Sequence, residues 1–282
     1  MGKSKRRARY SSAMNRPSEP AAPLALDDAA MLRYSRHLLL SDWGFEAQQA
    51  LAGKTALLVG AGGLGCAAAQ ALAAAGVGQL IIADDDQVEL SNLQRQILHD
   101  MASVGQPKVD SAQQRLHAVN PEVRIDKRAT RLLGAALDAA VAQADVVLDC
   151  SDNLSTRLAI NAACVRLAKP LISGAALGWR GQLFVYLPPP AQAACYHCLY
   201  PQSGADATQT PDQPCATMGV FTPLVMTVGS LQASEALKLL AGLPLDAGVL
   251  TLLDLQHSQQ HKVQVPRAPH CSVCGEGSKA GL

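Results

Sequence analysis

Aromatic residues are scarce in this 282-residue chain: Phe, Trp and Tyr together make 4%. Charge is also sparse, at 17%, and nearly balanced, with 24 Lys+Arg against 23 Asp+Glu for a formal net charge of +1. That balance argues against a general nucleic-acid binder, which carries a basic surplus. The 49% hydrophobic content argues against intrinsic disorder. No apolar run reaches the ~18 residues of a membrane helix; the richest, Leu64 to Val77, is interrupted by Gln70. The amino terminus is basic, with six Lys/Arg and no acid before Glu19, but no apolar segment follows, so it does not read as a secretory signal. Residues 1–26 are expected to be a disordered basic tail outside the fold.

Ala and Leu dominate what remains, so packing should be helix on sheet with small side chains. A length of 282 residues fits about two domains or one large α/β domain. The run Thr55–Val59 leads into Gly60-Ala61-Gly62-Gly63-Leu64-Gly65, then a helix-forming segment to Ala75 and a second apolar run, Gln79–Ala83. This β-turn-α-β unit implies a parallel sheet. Residues 30–41 read as one amphipathic helix, and helices are expected at Lys108–Val119, Gly134–Gln143, Asn153–Leu167 and Pro223–Leu240. Strands are expected at Val123–Lys127, Asp145–Asp149 and from Pro170. From Gly181 the pattern changes: Gln182–Leu187 alternates like an antiparallel strand, and Val249–Leu253 and His261–Val265 are also expected to be strands. Pro201–Pro214 has no period and is expected to be a mobile loop. The fold class is α/β, a Rossmann-like, mostly parallel sheet continued by an antiparallel half.

Glycines at Gly60, Gly62, Gly63 and Gly65 let a backbone turn tightly against a phosphate, and the following helix start offers unpaired N–H groups. Asp84, 24 residues after Gly60, can hold ribose hydroxyls. The loop alone does not choose between NAD and ATP. The segment from Asp84 to Gln96 helps, because its amide and guanidinium suit a reacting triphosphate, where charge develops on oxygen. Cys195/Cys198 and Cys271/Cys274 form two C-x-x-C pairs 72 residues apart. Without a signal peptide they read as a four-thiolate structural zinc site in a cytoplasmic protein. His197 and His270 flank the pairs, but the thiolate set is complete without them. Cys66, Cys150 and Cys164 read as packing residues and His99 as ordinary.

The stretches RYSRHLLL, GAGGLG, DDDQVELSNLQRQ, GQPKVDSA, CSDN, GQLFVY, CYHC, CATMGV, GSLQASEALKLL and CSVC run in this order from about residue 31 to 275. In that combination the chain resembles the E1-like, ubiquitin-activating superfamily, and within it the MoeB/ThiF group of sulfur-carrier adenylyltransferases, closest to the molybdopterin-synthase branch. The resemblance implies an ATP-dependent enzyme that adenylates the C-terminal Gly-Gly of a ubiquitin-like carrier: MoaD first, or ThiS of the thiamine pathway. It implies ATP, Mg²⁺ and structural Zn²⁺. The glycine loop would cradle phosphate and Asp84 hold ribose, with Asp86 beside the nucleotide. Asn92, Arg95 and Lys108 would contact phosphates, and Asp152 would be the Mg²⁺-associated acid. Arg36 matches an arginine that reaches into the other subunit's nucleotide site, which implies a homodimer. Cys215 matches a position that carries a persulfide or thioester in some members; a loop cysteine is the other reading. A cysteine desulfurase or rhodanese would donate sulfur, and no nucleic acid or membrane partner is expected. Residues 27–282 would form the adenylation domain, with ATP binding in about 52–170 and carrier and zinc binding in about 171–276. The competing readings are an NAD(P) oxidoreductase, which leaves Asn92, Arg95, Lys108 and Asp152 without a role, a non-catalytic carrier-binding scaffold, and the tRNA-modifying dehydratase branch.

Overall fold

The computed structural model describes residues 26–189, 191, 193–200 and 219–275. The expected tail, the Pro201–Pro214 loop and Cys215 lie outside the described residues, the tail's last residue, Leu26, excepted.

Three helices come first: α1 (Asp28–Arg33), α2 (Ser35–Leu38) and α3 (Gly44–Ala52). Asp27 caps α1 by accepting the Ala30 N–H at 2.8 Å. The single helix expected over residues 30–41 is broken at Tyr34, with φ −97° and ψ 10°. Its phenol sits over Gly76, where a Cβ would lie 2.5 Å from the hydroxyl oxygen. The hydroxyl also accepts a hydrogen bond from Asn120 Nδ2 at 2.9 Å. Tyr34 thus leaves the helical path to tie the amino-terminal arm to the body.

The remaining elements are β1 (Thr55–Val59), α4 (Gly63–Ala75), β2 (Gln79–Ala83), α5 (Lys108–Val119), β3 (Arg124–Arg128), α6 (Gly134–Gln143), β4 (Val146–Asp149), α7 (Leu154–Arg166), β5 (Leu171–Leu177), β6 (Arg180–Tyr186), α8 (Thr222–Leu240), β7 (Val249–Asp254) and β8 (Gln259–Gln264). They build one eight-stranded sheet in the order β3-β2-β1-β4-β5-β6-β7-β8. Pairing is parallel from β3 through β5 and antiparallel from β5 to β8. The parallel-then-antiparallel expectation is met.

Both faces of the central strands are covered, so their side chains are mostly apolar. Ala56 and Leu58 face α4, α5 and α8, with Leu72, Leu116 and Val228 in that core. Leu57 and Val59 face α6 and α7, with Leu137, Val141 and Ile160. The shortage of aromatics matches close helix packing. Cys66 to Ala69 on α4 are all buried, and a Cβ at Gly229 of α8 would meet the Leu64 carbonyl oxygen at 2.4 Å. No helix among the described residues is long and apolar enough to cross a membrane.

Candidate active site and cysteine centre

The strand order reverses at β1, whose neighbours β2 and β4 lie on opposite sides. Such a reversal leaves a crevice beyond the strands' carboxyl ends, where open α/β sheets bind ligands. A cleft of about 900 Å³ opens there. It is lined by Gly60, Gly62 and Gly63 after β1, Asp84 and Asp86 after β2, Asn92, Arg95 and Lys108, and Asp152 after β4. The expected nucleotide-binding residues therefore converge on one cavity, with Gly65 as the exception.

Gly60 has φ +104°, and a Cβ there would lie 2.7 Å from the Cys150 carbonyl oxygen. Gly65 does not line the cleft; its Cβ would lie 2.0 Å from the Gly60 carbonyl oxygen, so it lets α4 close against the loop. Gly65→Ala should cost about 2 kcal/mol or more through overpacking against backbone that cannot yield. A urea midpoint equal to wild type would contradict that contact.

Asp84 Oδ2 accepts the Ala61 N–H at 2.7 Å and Oδ1 the Asp86 N–H at 2.9 Å. Lys108, buried at the start of α5, lies 2.7 Å from Asp86 Oδ2 and 3.9 Å from Asp84 Oδ1. Burial pushes the Asp84 carboxyl up from its ordinary range, against the pull of Lys108 and the two N–H groups. Asp84 thus braces the loop while its remaining lone pairs still border the cleft. Arg95 is half-buried, with Nη1 donating to the Ser91 carbonyl at 3.1 Å. Asn92 is buried beside it.

Behind Asp152 lies a polar layer that the sequence reading missed. Arg157 is buried and donates to the carbonyls of Gly174, at 2.6 Å, and Ser151. Asp149, 3.9 Å away, accepts from the hydroxyls of Ser151 and Ser173, both at 2.6 Å. Burial opposes the Arg157 charge, but Asp149 and the Tyr196 phenol more than offset it. These buried groups are paired on every side, which fixes the turn that presents Asp152. An arginine inside a helical stretch carries no sequence signal for that role.

The sulfurs of Cys195, Cys198, Cys271 and Cys274 lie within 4.8 Å of one another. Cys195 Sγ is 3.8 Å from Cys271 Sγ, and Cys198 Sγ 3.5 Å from Cys274 Sγ. Four thiolates around a tetrahedral Zn²⁺ at about 2.3 Å stand about 3.8 Å apart, so the group fits zinc. Asn161 Nδ2 donates to Cys195 Sγ at 3.6 Å and so orients it. Hydrogen bonding from Cys195 holds the Cys274 thiol below its ordinary range, while the same bond raises Cys195 and burial raises Cys198. His197 Nε2 lies 3.3 Å from Ser272 Oγ and is not one of the four-sulfur set. Tyr196, between the first two cysteines, lines the cleft. Its hydroxyl accepts from Gln182 Nε2 at 3.0 Å, and its N–H donates to Asn161 Oδ1 at 2.8 Å.

Arg36 is exposed on α2 and is not part of this cleft's lining. Cys66, Cys150 and Cys164 are buried, as expected, and burial pushes the Cys66 thiol up to about 12. His99, read as ordinary, is buried against the glycine loop.

A mixed α/β sheet with a glycine loop at its switch point and a four-cysteine cluster is the combination that the E1-like resemblance implies. The ThiF family model matches residues 34–273, and the chain belongs to that family. It is 49% identical over 255 residues to the sulfur carrier protein ThiS adenylyltransferase of Escherichia coli, covering 90% of this chain and 99% of that one. It is 44% identical over 252 residues to the molybdopterin-synthase adenylyltransferase of the same organism, covering 89% and 99%. The fold is similar to that of Escherichia coli MccB crystallised with ATP, with a TM-score of 0.74 at 26% identity, covering 86% of this chain and 74% of that chain.

Proposed function

We propose that this chain adenylates the C-terminal Gly-Gly carboxylate of a ubiquitin-like sulfur carrier with ATP. One observation carries the reading: Arg95, Lys108 and Asp152 share a cleft with a glycine loop and the amino end of α4. A carboxylate oxygen of the carrier attacks the α-phosphorus, the bond from that phosphorus to the bridging oxygen breaks, and pyrophosphate leaves with the electron pair. Arg95 and Lys108 offset the charge that grows on the phosphate oxygens. Asp152, a carboxylate in the turn after β4, would hold the Mg²⁺ that accompanies ATP and neutralises part of its charge. An NAD(P) oxidoreductase would leave this cationic pair and Asp152 without work.

Nucleotide binding is assigned to about residues 52–170, and carrier docking with the zinc clamp to about 171–276. Leu177 and Leu252 line the cleft, and the nearby Trp179 and Phe221 are exposed and in ring contact, which supports an extended carrier tail docking on that side. Arg36, outside its own cleft and flanked by exposed Leu32, Leu39 and Leu40, supports a homodimer in which it serves the other subunit. The reduced thiol clamp supports a cytoplasmic site of action. Cys215 is a candidate for covalent sulfur transfer, with sulfur supplied by a desulfurase or rhodanese.

MoaD of molybdenum-cofactor synthesis is the first carrier on this reading. The 49% identity to a ThiS adenylyltransferase favours ThiS as a second. ATP–pyrophosphate exchange with each carrier, intact and lacking its last Gly, tests both. Exchange that requires one intact carrier names the substrate. Absence of exchange with any carrier, in protein that holds zinc and binds ATP, overturns the adenylation reading.

A further inference from the structure

His99 is 6% exposed and lies behind the cleft, outside its lining. Its Nε2 is 3.2 Å from the Ala61 carbonyl oxygen. A carbonyl only accepts, so Nε2 carries the proton and donates. Nδ1, 2.9 Å from Ser111 Oγ, then accepts from that hydroxyl. Burial lowers the pKa of the ring and keeps it neutral, the form this pairing needs. Ser111 lies three residues after Lys108 on α5, on the same helix face.

On the other side of the Ala61 Cα, the Ala61 N–H donates to Asp84, and Asp84 faces Lys108 at 3.9 Å. The contacts close a ring: glycine loop, Asp84, Lys108, the first turn of α5, Ser111, His99, and the loop again. Besides His99, Cys66 Sγ donates weakly to the Ala61 carbonyl, at 3.3 Å.

We propose that His99 is a positioning residue that fixes the spacing between the glycine loop and Lys108, and so sets affinity for the triphosphate. The proposal rests on the ATP reading above. Loop and lysine reach for the same anion from two elements, β1–α4 and α5. Without the imidazole the Ala61 carbonyl loses its main donor and the loop is free to shift against α5. Nucleotide binding must then restore the spacing, and affinity falls.

The test measures ATP affinity by calorimetry, carrier affinity without ATP, and thermal unfolding in full-length protein. His99→Leu should weaken ATP binding about tenfold, the size of one lost buried hydrogen bond, while His99→Gln, whose amide can still donate to Ala61, should stay within about threefold. Ser111→Ala should also weaken ATP binding, and carrier affinity should be unchanged in all three. A merely structural role would lower the unfolding temperature of Leu and Gln variants alike, with no rescue by Gln. Wild-type ATP affinity in His99→Leu, or Gln no better than Leu, overturns the proposal. If His99→Leu does not fold, unchanged affinity in Ser111→Ala overturns it. A wild-type chain that binds no ATP would instead sink the nucleotide reading, and this proposal with it.

Discussion

On the roles proposed for them, Arg36→Ala and Arg95→Ala should each lose about 10³-fold in adenylation, because each would remove a cation from the charge-bearing transition state. Co-expressed, the two variants should recover roughly a quarter of wild-type pyrophosphate exchange, since random pairing in a two-fold dimer makes half the dimers mixed and each mixed dimer has one intact site. That site combines the cleft of the Arg36→Ala chain with Arg36 from the Arg95→Ala chain. Neither change should alter folding. Arg36 is exposed, and Arg95 donates to one backbone carbonyl at a half-exposed position. If Arg36 serves its own cleft, every site in the mixture lacks one arginine and no exchange returns. Near-normal exchange in either single variant removes that residue from the mechanism.

Cys198→Ala should destabilise the chain by several kcal/mol, against about 10–16 kcal/mol for the metal in whole zinc-finger peptides. The four sulfurs join the segment after β6 to the segment after β8, and Cys195 and Cys271 are buried where the two meet. If the four sulfurs hold zinc, losing one ligand would weaken the metal's hold and release the turn Tyr196–Leu199. Denaturant unfolding of the variant, with metal analysis of the freshly purified wild type, measures both halves of this claim. Little zinc in the wild type, or an unchanged midpoint in the variant, would count against a structural metal.

Much of this was open to reading because the parallel half is written in buried runs. Thr55–Val59 and Gln79–Ala83 coincide with β1 and β2, since strands covered on both faces admit little but apolar residues. The glycine loop and the cysteine pairs were legible for a related reason: their spacing is dictated by local geometry. The helix α3 was not foreseen, because its buried side is only Ala47, Gln48 and Leu51, too short a pattern to register as periodic. The break at Tyr34 depends on Gly76 and Asn120, which are distant in sequence. His99 and Arg157 escaped for the same reason. Each makes its decisive bonds to backbone carbonyls, at Ala61 for one and at Ser151 and Gly174 for the other, and carbonyls have no sequence identity.

Tyr196 belongs to two sites at once: it stands between two zinc-type ligands and forms part of the cleft wall. A residue shared in this way offers a route by which the two proposed occupancies can be coupled, and any such coupling is reciprocal. Whatever factor the metal contributes to nucleotide affinity, the nucleotide returns to metal retention. If the proposed zinc strengthens binding of the proposed nucleotide, a chain engaged with its nucleotide would hold the metal more firmly than an idle one, by the same factor.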